Sequence, residues 1–202
     1  MAARAKVSLL VLIMSLVSYM VGTTESSITP TEFIRSSCEA TSYPALCVQC
    51  LTGYASAIGQ SDQQLAITAI SVSISRTQLS ASFVNTMSKS RGIKQREYRA
   101  MQDCIENMAD SLDRLSKSVT ELGNIGHAVG EDFRWHMSNV QTWVSAALTD
   151  DDSCLDGFTD LFMNENVKAA IKDKVVNVAQ VTSNALALVN RFASNHRTAE
   201  TP

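Results

Sequence analysis

The chain has 202 residues, of which 45% are hydrophobic and 18% charged, and a formal net charge of −3. That length fits one domain with its own core. The acidic balance repels nucleic acid and anionic membrane, and it favours a basic partner.

The first residues read as a targeting segment. Arg4 and Lys6 precede an apolar run from Val7 to Val21, which gives way to Gly22-Thr-Thr-Glu25. A basic start, an apolar centre and a small-residue end predict a cleaved secretory signal over residues 1–24, leaving a domain over 25–202. The run is shorter than the roughly 20 apolar residues a membrane-spanning helix needs, so no membrane association is expected after cleavage. Losing two basic residues and no acid takes the net charge to −5.

All five cysteines, Cys38, Cys47, Cys50, Cys104 and Cys154, follow the leader. In an oxidising compartment they are expected in disulfides, with one thiol left over. Cys38 and Cys47 flank the turn signal Thr41-Ser-Tyr-Pro44 and could close a helical hairpin, and Cys104 is a candidate partner for Cys154. Counting alone leaves the pairing open. No Asn-x-Ser/Thr acceptor for N-glycosylation occurs.

Pro30-Thr-Glu-Phe33 predicts a short first helix, with proline in its first turn and Phe33 and Ile34 turned inward. From residue 45 to 201 there is no proline, as a mostly helical body requires. Gly59, Gly92, Gly123, Gly126 and Gly130 fall between periodic segments, where helices should end.

Four such segments follow. The first, about 62–90, opens on Ser61-Asp62 as an N-cap and carries Ile67, Ile70, Ile74, Ala81, Val84 and Met87 toward the core. The second, about 95–122, has Tyr98, Met101, Ile105, Met108, Leu112, Leu115, Val119 and Leu122 in one unbroken stripe. At about 100° per residue, Asp103, Glu106, Asp110 and Asp113 share one flank on the far side of that stripe. The third, about 131–162, buries Phe133, Met137, Val140, Val144, Ala147 and Leu148, and Asp150 to Asp152 interrupt its pattern, predicting a break or kink. The fourth, about 166–194, turns Val167, Ile171, Val175, Val178, Ala185, Leu186, Val189 and Phe192 inward, and a frayed polar tail runs from Ser194 to Pro202. The result is an all-α chain: an up-down-up-down four-helix bundle over about 62–194, preceded by a short helical hairpin over about 30–60 and stabilised by disulfides.

Catalytic signatures are lacking. There is no nucleophile elbow, phosphate-binding glycine loop or His-Glu-x-x-His zinc motif. His127 and His136 have no third ligand at usable spacing, so no metal or cofactor is expected. Cys47-Val-Gln-Cys50 has redox spacing without the βαβ setting such dithiols use, and Cys50 reads as the leftover thiol. Glu106, Asp110 and Asp113 read either as a solvated face or as a face that meets a protein.

Several motifs do carry a resemblance: Phe33-Ile-Arg-Ser-Ser-Cys38 with Thr41-Ser-Tyr-Pro-Ala-Leu-Cys47, Met101-Gln-Asp-Cys104, Val140-Gln-Thr-Trp-Val-Ser-Ala-Ala-Leu-Thr149 through Cys154-Leu-Asp-Gly-Phe158, and Thr182-Ser-Asn-Ala-Leu-Ala-Leu188. In this order they resemble the plant invertase and pectin methylesterase inhibitor family. The resemblance implies a four-helix bundle behind a helical hairpin, disulfides Cys38–Cys47 and Cys104–Cys154, and a secreted inhibitor rather than an enzyme. Cys50 departs from the family's usual fifth cysteine, which lies later in the chain. Invertase-directed members often carry Pro-Lys-Phe near the last helices, and no proline stands there in this chain. The implied partner is therefore pectin methylesterase, with cell-wall or vacuolar invertase as the alternative. Carried over by offset from the two cysteine motifs, Glu106, Asp110, Asp113, Ser153 and Asp156 are the expected partner-binding residues.

Overall fold

Thr29 caps the first described helix: its hydroxyl accepts the Glu32 amide at 3.3 Å while the Glu32 carboxylate accepts the Thr29 amide at 2.9 Å. This reciprocal box, with proline in the first turn, satisfies donors that a helix start leaves orphaned. In the computed structural model, residues 28–126, 128–159 and 163–200 are described. The expected signal at 1–24 and His127 lie outside them.

Helix α1 (Pro30–Cys38) and helix α2 (Pro44–Leu51) form the hairpin, and a 3-10 turn (Thr52–Tyr54) and helix α3 (Ala55–Ile58) lead to Gly59. Gly59 takes φ +57°, where a side chain would be strained. Four long helices follow: α4 (Asp62–Ser88), α5 (Gln95–Asn124), α6 (Gly130–Asp156) and α7 (Glu165–Glu200). They pack in order as α4–α5, α5–α6, α6–α7 and α7–α4, closing a four-helix bundle. Disulfides join Cys38 to Cys47 and Cys104 to Cys154, and Cys50 is a free, half-buried thiol.

The hairpin is held to the bundle through α7. The Asn184 side chain accepts the Tyr43 amide and donates to the Tyr43 carbonyl, both at 3.0 Å. Arg191 and Asn195 on α7 also bind the Asp62 carboxylate, at 2.9 and 2.6 Å, at the first residue of α4.

The helices appear where periodicity places them, with four differences. On α4 the buried line runs through Leu65, Ala69, Ile70, Ser73, Thr77, Ser80 and Val84, while Ile67, Ile74, Ala81 and Met87 are half-exposed. Small hydroxyl residues can occupy that line because Ser73 donates to the Ala69 carbonyl at 3.2 Å and Thr77 to that of Ser73 at 2.9 Å. On α5 the buried side is rotated: Glu97 and Cys104 are inside and Tyr98 is 42% exposed. The third helix does not break at Asp150 to Asp152 but continues to Asp156, with Gly157 as its cap. Its expected end at 162 is therefore too late. The fourth helix runs past Ser194 to Glu200 instead of fraying.

Candidate protein-binding face

Helices α5 and α6 run antiparallel, and their register is fixed at three levels. The Cys104–Cys154 disulfide ties one end. Arg114 pairs with Asp150 further along. Glu121 meets His136 Nδ1 at 2.8 Å and Asn139 Nδ2 at 3.1 Å near the other end. Glu106 therefore lies level with Asp152 and Ser153, and Asp110 about one turn further from the disulfide.

All five expected contact residues are exposed: Glu106, Asp110 and Asp113 on α5, Ser153 and Asp156 on α6. They differ in how free they are to meet a partner. Among the described residues Glu106 and Asp110 make no ion pair. Asp113 is bound to Lys117 at 2.6 Å, one turn on, so part of its charge is already compensated. Ser153 Oγ donates to the Thr149 carbonyl at 2.8 Å, leaving its lone pairs outward. Asp156 stands in the last turn of α6. The two ends of the set sit on different helices, and the Cys104–Cys154 bond is what brings them alongside each other.

Two groups in this region were not singled out from the sequence. Arg114 sits among Asp110, Asp113 and Asp150, whose negative charges push its basicity up, the hydrogen bond to Asp150 most of all. It limits self-repulsion in the acidic face. Burial holds the Asp150 carboxyl above the ordinary range, although the Arg114 pair acts in the opposite sense. The second group is Asp151, which has no exposed surface. Neither of its oxygens takes a hydrogen bond, and the Thr182 hydroxyl beside it already donates to the Val178 carbonyl at 3.0 Å. Burial is the main cause that raises the Asp151 carboxyl, to about 7. Helical arithmetic holds the signal for it: Asp151 lies three residues before buried Cys154, on the same face.

No group of three candidate metal ligands occurs among the described residues. No described helix is long and apolar enough to cross a membrane.

A family profile described as plant invertase/pectin methylesterase inhibitor matches residues 32–188. The chain belongs to that family. Pectinesterase inhibitor 9 of Arabidopsis thaliana is 56% identical over 165 residues, covering 80% of this chain and 81% of that one. The 21 kDa protein of Daucus carota is 51% identical over 166 residues, covering 82% and 86%. In three dimensions, a mutant pectin methylesterase inhibitor from Arabidopsis superimposes with a TM-score of 0.60, covering 76% of this chain and 92% of that one. At 19% identity that likeness establishes the fold alone. The family is one of inhibitor proteins, and this chain is not itself an enzyme.

Proposed function

We propose that this protein inhibits pectin methylesterase in the plant cell wall, after secretion and loss of residues 1–24. It forms a non-covalent complex in which helices of the bundle cover the enzyme's substrate cleft. The observation that carries the target is the 56% identity to a pectinesterase inhibitor over most of both chains. The lack of any proline between residues 45 and 201, and hence of Pro-Lys-Phe, argues against invertase as the target.

The contact face is the exposed set Glu106, Asp110, Asp113, Ser153 and Asp156. Two long helices clamped by a disulfide hold it rigid, so little side-chain or backbone freedom is lost on docking. Exposed carboxylates steer a basic surface toward the bundle and set its orientation. The test is to add the purified, oxidised protein to plant pectin methylesterase and, separately, to acid invertase. Inhibition of the esterase alone is expected; inhibition of invertase alone, or of neither enzyme, overturns the proposal.

A further inference from the structure

The turn between α4 and α5 and the first turns of α5 carry Lys89, Arg91, Lys94, Arg96 and Arg99, five cations within eleven residues of an acidic chain. All five are exposed. The one acid among them, Glu97, is 2% exposed. Its carboxylate points inward, where it accepts the backbone amides of Lys94 at 2.9 Å and Asn164 at 2.8 Å. The sequence looks mixed in charge, but the surface it makes is cationic.

This placement works against the helix. The N-terminal end of α5 carries the positive pole of the helix dipole, and acids are the residues favoured there. Among the described residues Lys89, Arg91 and Arg99 form no ion pair. Gly92, at φ +87°, turns the loop that carries Arg91 back toward α5. With Glu97 inward, steps of about 100° per residue put Gln95 and Arg99 on the outward side and Tyr98 on its flank. Tyr98, the residue before Arg99, is 42% exposed. Asp103, one turn beyond Arg99, begins the acidic row, so one outward face of α5 changes sign along its length.

We propose that this basic end of the bundle binds a linear polyuronate, the de-esterified galacturonan chain that a pectin methylesterase releases. The inference rests on the esterase reading above, because that reaction turns neutral methyl esters into a row of carboxylates next to the inhibitor. Guanidinium forks match carboxylates with two parallel hydrogen bonds, and Tyr98 offers a flat face against which a sugar ring can lie. The acidic row beyond Asp103 repels the same polymer and confines it to the basic end. The inhibitor is thus retained where de-esterified pectin accumulates, while the acids remain free for the enzyme.

The test uses the whole oxidised protein. Binding to polygalacturonate, to fully methyl-esterified pectin and to phosphatidylserine vesicles is measured at low and at 0.3 M salt, beside direct binding to the esterase without any polymer. The comparison variant is Lys89→Gln/Arg91→Gln/Arg99→Gln, which leaves Glu97 and its partners intact. Expected are binding to polygalacturonate only, weakened at least tenfold by the higher salt and at least tenfold by the variant, with esterase affinity changed less than twofold. Absence of polygalacturonate binding overturns the proposal, as does equal binding to methyl-esterified pectin or to the vesicles. Loss of esterase affinity in the variant also overturns it, because the patch then contacts the enzyme. Failure of the unsubstituted protein to bind the esterase overturns the function reading instead, and shows in a separate measurement.

Discussion

Glu97 on α5 accepts the backbone amide of Asn164 at 2.8 Å, joining the start of the second bundle helix to the residue that precedes the fourth. The same carboxylate caps its own helix through the Lys94 amide, and these two bonds hold it below the ordinary carboxyl range against the effect of burial. One buried side chain thus closes the end of the bundle that carries both the basic turn and the Cys104–Cys154 bond.

Replacing Glu97 by alanine leaves two backbone amides without an acceptor. A loss of about 2–4 kcal/mol is expected, or very roughly 5–15 °C in Tm for a domain of this size. Because the folded-state pKa is lowered, the stabilising contribution is present above the unfolded value of about 4.3 and disappears as pH falls through the folded one. Thermal melts of the two proteins should therefore converge in strong acid. Equal melting temperatures at pH 6 would show that Glu97 does not hold the end of the bundle.

Asp151 has the opposite sign. Its carboxyl is raised to about 7 in the fold, against about 3.9 in an unfolded chain. Between these values the folded state binds the extra proton, so stability falls as pH rises from about 4 to about 7 and levels off above. Asp151→Asn should remove that slope and be more stable than the parent at pH 7.5 by about 1–3 kcal/mol. Denaturant titrations of both proteins at pH 4.5, 6 and 7.5 read it directly, and parallel pH curves would count against a neutral, buried Asp151.

The Cys104–Cys154 bond closes a loop of 50 residues. Loop entropy predicts a loss of roughly 4 kcal/mol for Cys104→Ser/Cys154→Ser, against roughly 3 kcal/mol for the shorter hairpin loop. The functional consequence should differ more than the energies do. Only the first pair aligns the acids of α5 with Ser153 and Asp156, so its removal should weaken esterase binding even at temperatures where the helical signal is intact. Unfolding curves and titration of the esterase separate the two effects.

Glu106→Ala/Asp110→Ala should weaken inhibition about 5- to 50-fold at low salt, mainly through slower association, with the helical content unchanged. Asp113→Ala should cost less, because Lys117 already answers that carboxylate at 2.6 Å. Equal losses at Asp110 and Asp113, or no loss at Glu106, would move the contact elsewhere on the bundle.

Sequence periodicity located the long helices because each has an apolar stripe with nowhere to go but the bundle interior. It placed some faces a step out of turn, for definable reasons. On α4 the interior line is made of Ser73, Thr77 and Ser80, which hydropathy counts as polar although Ser73 and Thr77 spend their hydroxyls on their own helix. On α5 Tyr98 fits the apolar rhythm better than Glu97 does, yet Glu97 is drawn inside by two amides, one of them 67 residues away. The run Asp150 to Asp152 looked like an interruption because three adjacent acids mask the direction of each. One pairs with Arg114, one is buried and one is exposed. The five candidate contact residues were legible as exposed acids and a serine, but the Asp113–Lys117 and Arg114–Asp150 pairs that rank them depend on geometry.

Asn184 grips the hairpin by the main chain of residue 43 alone. Since any amino acid but proline offers the same amide and carbonyl, the tyrosine there is free to drift over evolutionary time, while position 184 tolerates only a side-chain amide. Across related sequences the two ends of this contact should therefore diverge at very different rates, and a variable residue before Pro44 is no sign that the joint between hairpin and bundle has been lost.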